Sequence, residues 1–154
     1  MKIGFAGTLE GLEKPQIDTV LRLLKKLKLS YNSIEIHLGN CKGADKEIAE
    51  IIISNNISKT LFIYSIDDHE IEAYDLEEEF KLSENKINVE YKNEKTLFER
   101  NRQFSDFCDL LIAAPKEGME IRDSETWSTI RYCKKFSKKM FIVYADGHAI
   151  KTYK

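Results

Sequence analysis

The sequence is poor in the residues that mark several classes of protein. It has only two prolines, one tryptophan and three cysteines in 154 residues. The cysteines lack the paired spacing of a zinc site, and an odd number of them suits a reducing compartment. No apolar run reaches the roughly 20 residues of a membrane-spanning helix. An apolar strand pattern begins at Lys2, which leaves no room for a signal peptide. We therefore expect a cytoplasmic protein.

An excess of charge of either sign is also missing. The chain has 24 basic and 26 acidic residues, a formal net charge of −2. Binding to a nucleic-acid backbone depends on a dense basic face, so nucleic acid is an unlikely partner. The apolar share of 42% and the charged share of 32% are typical of a soluble globular protein, and the length predicts one domain over residues 1–154.

Short apolar runs alternate with helical periodicity along most of the chain. Five runs read as strands, and four segments carry apolar residues at the spacing of a helix face. This alternation predicts an α/β fold, a three-layer α/β/α sandwich with a mostly parallel five-stranded sheet. Residues 66–93 break the pattern and predict a variable acidic insert. The acids near His69 in this insert do not have the spacing of metal ligands, so we expect no metal site there. The predicted strands cover residues 2–6, 34–38, 60–64, 109–114 and 140–144.

The stretch 37–45 reads as a strand–turn–helix corner. Gly39 and Gly43 let the backbone turn sharply and approach a ligand. The helix that follows offers unpaired N–H groups to an anion, and Lys42 adds a cation. A tight connection without a ligand is the alternative interpretation. The candidate ligand contacts in this corner are Gly39, Asn40, Cys41, Lys42, Gly43 and Asp45.

Further candidates lie where other strands end, because ligands of parallel sheets collect beyond the carboxyl ends of the strands. Arginine side chains after the acidic insert have the donor geometry to grip phosphate, and the single tryptophan has a ring that stacks on a base. Solvated arginines, a satisfied asparagine and a tryptophan in the core are the alternatives. These candidates are Gly7, Thr8, Arg100, Asn101, Arg102, Pro115, Thr126 and Trp127.

Five short motifs occur along the chain in a fixed order. They are Gly7-Thr8, HLGNCKGAD at 37–45, FERNR at 98–102, DLLIAAPKE at 109–117 and TWSTIRY at 126–132. Together they resemble the small Rossmann-like proteins of the SLOG superfamily. That superfamily includes the LOG phosphoribohydrolases and nucleotide-sensing domains of bacterial defence systems, and it has small members from phages. The resemblance covers most of residues 1–147 and fails at 66–93.

The resemblance implies a pocket for a nucleotide-derived molecule, with phosphates near residues 39–45 and near Thr126. ADP-ribose relatives and cyclic nucleotides are the expected ligands, and a phage protein of this kind would act as an anti-defence sponge. The resemblance also implies a homo-oligomer. No cofactor and no metal are expected.

The enzymes of the superfamily are similar in carrying a Pro-Gly-Gly-x-Gly-Thr-x-x-Glu motif, whose glutamate helps to break the N-glycosidic bond. Here Ser128 or Thr129 takes the place of that glutamate. We therefore expect non-catalytic binding, by a sensor or a sequestering protein, with no catalytic residue. The alternative is a nucleotide N-glycosidase of the LOG type that uses Glu99, Asp123 or Glu125 in an altered geometry.

Overall fold

The described part of the chain forms a seven-stranded sheet with helices on both faces. The structure is a computed structural model that describes residues 1–66, the backbone of 88–94, and residues 96–152. The strands are β1 (Lys2–Gly7), β2 (Glu35–Gly39), β3 (Thr60–Ile66), β4 (Asn88–Glu94), β5 (Leu110–Ala114), β6 (Met140–Val143) and β7 (Ala149–Thr152). The described helices are α1 (Lys14–Ser30), α2 (Ala44–Ser54), α3 (Leu97–Phe107) and α4 (Glu125–Lys135).

The strand order is β4-β3-β2-β1-β5-β6-β7, and only β7 runs antiparallel to its neighbour. The α/β class and the mostly parallel sheet are confirmed. Strand β1 lies between β2 and β5, so the order reverses beside it. A crevice is expected at this reversal, beyond the carboxyl ends of β1 and β5.

The predicted number of five strands is wrong, because β4 and β7 were missed. Strand β4 has the sequence NVEYKNE and β7 has AIKT. Both are edge strands, whose polar content hides the apolar runs that mark buried strands. All of β4 except its last residue, Glu94, also lies in the predicted insert at 66–93. The acidic run at 67–79, with His69, lies outside the described residues.

Two apolar clusters lie on opposite faces of the sheet, and each packs two helices against the strands. One contains Val20 of α1 and Ile48 of α2, and the other contains Phe104 of α3 and Ile130 of α4. All four side chains are almost completely buried. The helical stripes read from the sequence therefore face the sheet, as expected. No helix among the described residues combines the length and apolarity needed to cross a membrane.

Side-chain caps fix where α3 and α4 begin. Thr96 accepts a hydrogen bond from the N–H of Glu99 at 3.2 Å, and Ser124 accepts one from Trp127 at 3.3 Å. Both caps match the sequence pattern. On the other face, the buried amide of Gln16 donates to the carbonyls of Pro115 and Val143. The start of α1 thereby holds the ends of β5 and β6 together.

None of the three cysteines forms a disulfide and all three are buried, which leads to a first prediction. Burial raises the pKa of Cys108 and Cys133, so both thiols stay protonated at neutral pH. We expect Ellman's reagent to react slowly with the folded protein and to titrate three thiols in denaturant. Rapid reaction of Cys108 or Cys133 in the native state, located by peptide mapping, would contradict the packing described here.

Candidate functional site

Two of the strand-end loops that the sequence singled out, those after β1 and β5, meet in a cleft. The cleft has a volume of about 230 Å³ and is bounded by the loop after β1, the loop after β5, and the first turns of α3 and α4. It lies at the reversal of strand order, where the topology predicts a ligand. Its lining residues are Gly7, Thr8, Leu9, Glu10, Asp45, Leu97, Arg100, Asn101, Lys116, Glu117, Asp123, Ser124, Glu125 and Thr126.

A buried ion pair forms one wall of this cleft. Arg100 Nη1 lies 3.5 Å from Asp45 Oδ2, and both side chains are more than nine-tenths buried. The same Nη1 donates to Cys41 Sγ at 3.1 Å, and the Cys41 N–H donates to Asp45 Oδ2 at 3.3 Å. Residues separated by more than 50 positions in sequence thus share one polar network. Removing one partner of such a pair leaves a buried charge uncompensated.

Gly39 makes room for this ion pair. A Cβ atom at position 39 would lie 2.2 Å from Arg100 Nη1 and 2.3 Å from Asp45 Oδ2. The close approach that the glycine permits is therefore that of the protein's own charged side chains. Gly39 itself is absent from the lining of this cleft, so the cleft does not support the prediction of a ligand contact at Gly39.

Burial raises the pKa of Asp45, while the Arg100 guanidinium and the N–H of Cys41 oppose this shift. The carboxylate has lost its water, and these two donors replace only part of that hydration. Asp45 is therefore a group whose charge depends on its arginine partner. The free energy of unfolding, measured against pH with and without Arg100, reports this dependence.

Two nitrogens of the Arg100 guanidinium, Nε and Nη1, donate hydrogen bonds within the protein. Its Nε donates to Asn101 Oδ1 at 3.1 Å, and Asn101 Nδ2 donates to Thr129 Oγ1 at 2.9 Å. No acceptor among the described residues takes a hydrogen bond from Nη2. The network from α3 to α4 thus fixes the guanidinium while Arg100 lines the cleft. Asn101 is a satisfied, buried amide, as one sequence interpretation expected.

The two helix starts that the sequence proposed as anion seats differ in their surroundings. At α2, the Ala44 N–H donates to Thr8 O at 3.0 Å, and the carboxylate of Glu47 accepts from the Leu12 N–H at 2.7 Å. The loop after β1 covers this start closely, because a Cβ on Gly43 would lie 2.3 Å from Leu9 O. At α4, Glu125 and Thr126 of the first turn line the cleft.

Carboxylates outnumber cations in the cleft. Its lining contains five acids, Glu10, Asp45, Glu117, Asp123 and Glu125, and two cations, Arg100 and Lys116. Lys116 forms an ion pair with Glu10, as Arg100 does with Asp45. The remaining three carboxylates give the cleft an acidic floor.

Two of these carboxylates have an unmet hydrogen-bonding capacity. Glu117 Oε2 and Glu125 Oε2 are shielded from solvent and have no hydrogen-bond partner among the described residues. Burial raises the pKa of Glu125, and Arg100 opposes the shift. A shielded acceptor without a donor is costly and uncommon in folded proteins. Glu117 and Glu125 both belong to the lining of the cleft, so a ligand hydroxyl or amino group in the cleft would lie near their carboxylates.

Several predicted contacts lie outside the cleft lining. Lys42 is exposed, Trp127 is buried beside Tyr144 with ring centroids 6.4 Å apart, and Arg102 lies over the ring of Tyr132. The base-stacking prediction for Trp127 has no support here, because its ring is 3% exposed and packed in the core. The predicted residues that the cleft does not include are Gly39, Asn40, Cys41, Lys42, Gly43, Arg102, Pro115 and Trp127.

Sequence reasoning left out Glu10, Lys116 and Glu117, although each follows a predicted strand end within a few residues. Thr8 and Pro115 were chosen because they follow the ends of predicted strands. The same criterion, extended by two positions along the chain, would have included all three residues. Among the described residues, no group of three or more His, Cys, Asp or Glu side chains is arranged to hold a metal ion.

Comparison with protein-family models and with curated proteins finds no match for the chain. The resemblance to the SLOG superfamily therefore stays a prediction based on the five sequence motifs.

Proposed function

We propose that the cleft binds a small nucleotide-derived molecule and holds it without converting it. The observation that carries this proposal concerns Glu117 and Glu125, which line the cleft at the sheet's reversal point. Each has a shielded oxygen without a hydrogen-bond partner in the described part of the chain. Ribose hydroxyls are donors that suit two such carboxylates. The first turn of α4, with the Thr126 hydroxyl, and Arg100 Nη2 are donors that suit a phosphate.

The size of the cleft favours a ligand with one nucleoside unit. Small-molecule sites usually measure roughly 300–1,000 Å³, and the described residues enclose about 230 Å³. A nucleoside monophosphate or a ribose phosphate matches this space better than a cyclic dinucleotide does. The carboxylates of the cleft also favour a ligand with a single phosphate, because each further phosphate adds repulsion between the ligand and these carboxylates.

A second function, N-glycosidic bond hydrolysis, is favoured by one observation. The cleft contains Asp123 and Glu125, and burial raises the pKa of Glu125. A carboxyl group that stays protonated nearer neutral pH is a suitable general acid for a departing base. Glu99, the third acid considered, serves the α3 cap instead and hydrogen-bonds to Thr96.

One experiment separates the two functions. The protein is incubated with AMP, ribose 5-phosphate, NAD, ADP-ribose and cyclic dinucleotides, and both thermal stabilisation and product release are followed. Binding raises the melting temperature by mass action. We expect AMP or ribose 5-phosphate to stabilise the protein and to be recovered intact. Free adenine that accumulates over many turnovers would overturn non-catalytic binding in favour of hydrolysis.

The variant Glu125→Gln sharpens this test. Glutamine keeps the shape of the side chain but loses the acidic proton, and it replaces one acceptor oxygen by a donor. We expect the variant to lose most of the ligand-induced stabilisation. Glu50→Gln, which removes a half-exposed acid on α2, is the matched control and should behave as the wild type. Full stabilisation of Glu125→Gln by every compound would contradict a role for this carboxylate.

A further inference from the structure

A second cavity lies between α3 and α4, on the other side of Asn101 from the cleft. It has a volume of about 380 Å³, and Asn101 belongs to the lining of both cavities. We call it the α3–α4 groove and define it by Phe98, Arg102, Arg131, Tyr132, Lys135 and Phe136. Its volume is within the range of small-molecule sites, roughly 300–1,000 Å³.

The charge of the groove is opposite to that of the cleft. Among the described residues, the groove lining contains three cations, Arg102, Arg131 and Lys135, and no acid. Arg131 is engaged with Glu120 at 3.5 Å and with the carbonyl of Ile121 at 3.0 Å. Arg102 and Lys135 form no ion pair with a carboxylate of the described residues. These two cations are available to an anionic ligand.

Aromatic rings alternate with these cations. The Arg102 guanidinium lies 5.6 Å from the centroid of the Tyr132 ring, and Lys135 Nζ lies 5.6 Å from that of Phe136. The Tyr132 and Phe136 centroids are 4.7 Å apart. Phe98 and Phe136 are about half exposed, at 47% and 52%. Exposed rings next to cations form a surface on which an aromatic ring can stack while an anion is bound.

A second copy of the chain is a poor occupant of this groove. A two-fold interface places the same patch of both subunits face to face. The cations of both grooves would then meet without an acid in either lining, and like charges brought together cost energy. The charge and the rings together favour a ligand that carries both an anionic group and an aromatic ring.

We infer that the α3–α4 groove binds a nucleotide, with its base against Phe98 or Phe136 and its phosphates beside Arg102 and Lys135. This site is separate from the cleft and does not depend on the proposed function. The base supplies stacking and the phosphates supply charge, so neither adenosine nor pyrophosphate alone makes both kinds of contact.

The test is titration calorimetry with ADP, adenosine and pyrophosphate at low and high salt. We expect ADP to bind more tightly than either fragment, and its affinity to fall as salt rises. The double variant Arg102→Ala/Lys135→Ala should weaken ADP binding by at least about tenfold, as loss of charged hydrogen bonds does. Phe98→Ala/Phe136→Ala should weaken ADP binding and leave pyrophosphate binding unchanged.

Control variants assign the site. Lys139→Ala removes an exposed cation that does not line the groove and should leave ADP binding unchanged. All of these titrations use the Glu125→Gln protein, in which we expect the cleft to bind little ligand, so that ADP in the cleft does not contribute to the measured affinity. ADP binding that survives the Arg102/Lys135 substitutions, or pyrophosphate that binds as tightly as ADP, would overturn the groove site. Neither result would touch the cleft, whose own test uses Glu125 and intact recovery of the ligand.

Discussion

Gly39→Ala is expected to destabilise the protein by about 3–5 kcal/mol, the cost of disrupting a buried ion pair. The new Cβ would lie 2.2 Å from Arg100 Nη1 and 2.3 Å from Asp45 Oδ2, so the two charged groups must move apart inside the protein. The measurement is the free energy of unfolding from urea denaturation.

Gly118→Ala is the matched control for this substitution. A Cβ at position 118 meets no atom within 4 Å. Its effect should therefore stay within about 0.5 kcal/mol, as for most surface substitutions. A Gly39→Ala protein as stable as Gly118→Ala would show that the Asp45–Arg100 pair does not occupy the space above Gly39.

Arg100→Met is expected to cost about 3–5 kcal/mol, as other broken buried ion pairs do, because it removes the guanidinium charge from beside the buried Asp45 carboxylate. Its effect should also depend on pH. Burial already raises the pKa of Asp45, and the loss of Arg100 removes an interaction that lowers it. The pKa of Asp45 in the folded variant is therefore higher than in the wild type.

The sign of this pH dependence follows from proton linkage. A carboxyl group with a raised pKa in the folded state favours folding most at low pH, and this contribution is lost as the pH rises through the folded pKa. The deficit of Arg100→Met relative to the wild type should thus be smallest in acid and should grow towards neutral pH. Unfolding free energies measured for both proteins over this range give the difference directly.

Two further variants make the result specific to the ion pair. Arg102→Met removes an exposed arginine from the same helix and should change stability by no more than about 0.5 kcal/mol. The double variant Asp45→Asn/Arg100→Met should lose less than the sum of the two single variants, because no buried charge remains. Additive losses, or a deficit that is independent of pH, would contradict the pairing.

Local sequence patterns predict most of the fold, because buried strands and amphipathic helices are local in their chemistry. The apolar run at Leu110–Ala114 and the Thr96 and Ser124 caps lie where the patterns predict. Strands β4 and β7 were not predicted, because an edge strand is less buried than a central one and does not need a continuous apolar run. Their pairing with β3 and β6 is a tertiary property.

The site was predictable in position and less so in detail. Topology brings Thr8, Arg100 and Thr126 to one cleft, and this follows from strands that end at the same edge. The inward turn of Arg100 towards Asp45 depends on a contact between residues 55 positions apart, which no local pattern encodes. For Trp127 the sequence left two interpretations open, a ring that stacks on a base and a ring in the core, and the structure places it in the core.

The central claim is that the loops after β1 and β5 and the start of α4 form one ligand site. The most direct measurement is a nitrogen–proton NMR titration of the Arg102→Ala/Lys135→Ala protein with AMP, so that the groove does not contribute. We expect the amide signals of Thr8, Glu117, Glu125 and Thr126 to shift together along one saturating curve. A saturating titration in which these four amides stay unmoved while others shift, or one with no shifts at any AMP concentration, would contradict the claim.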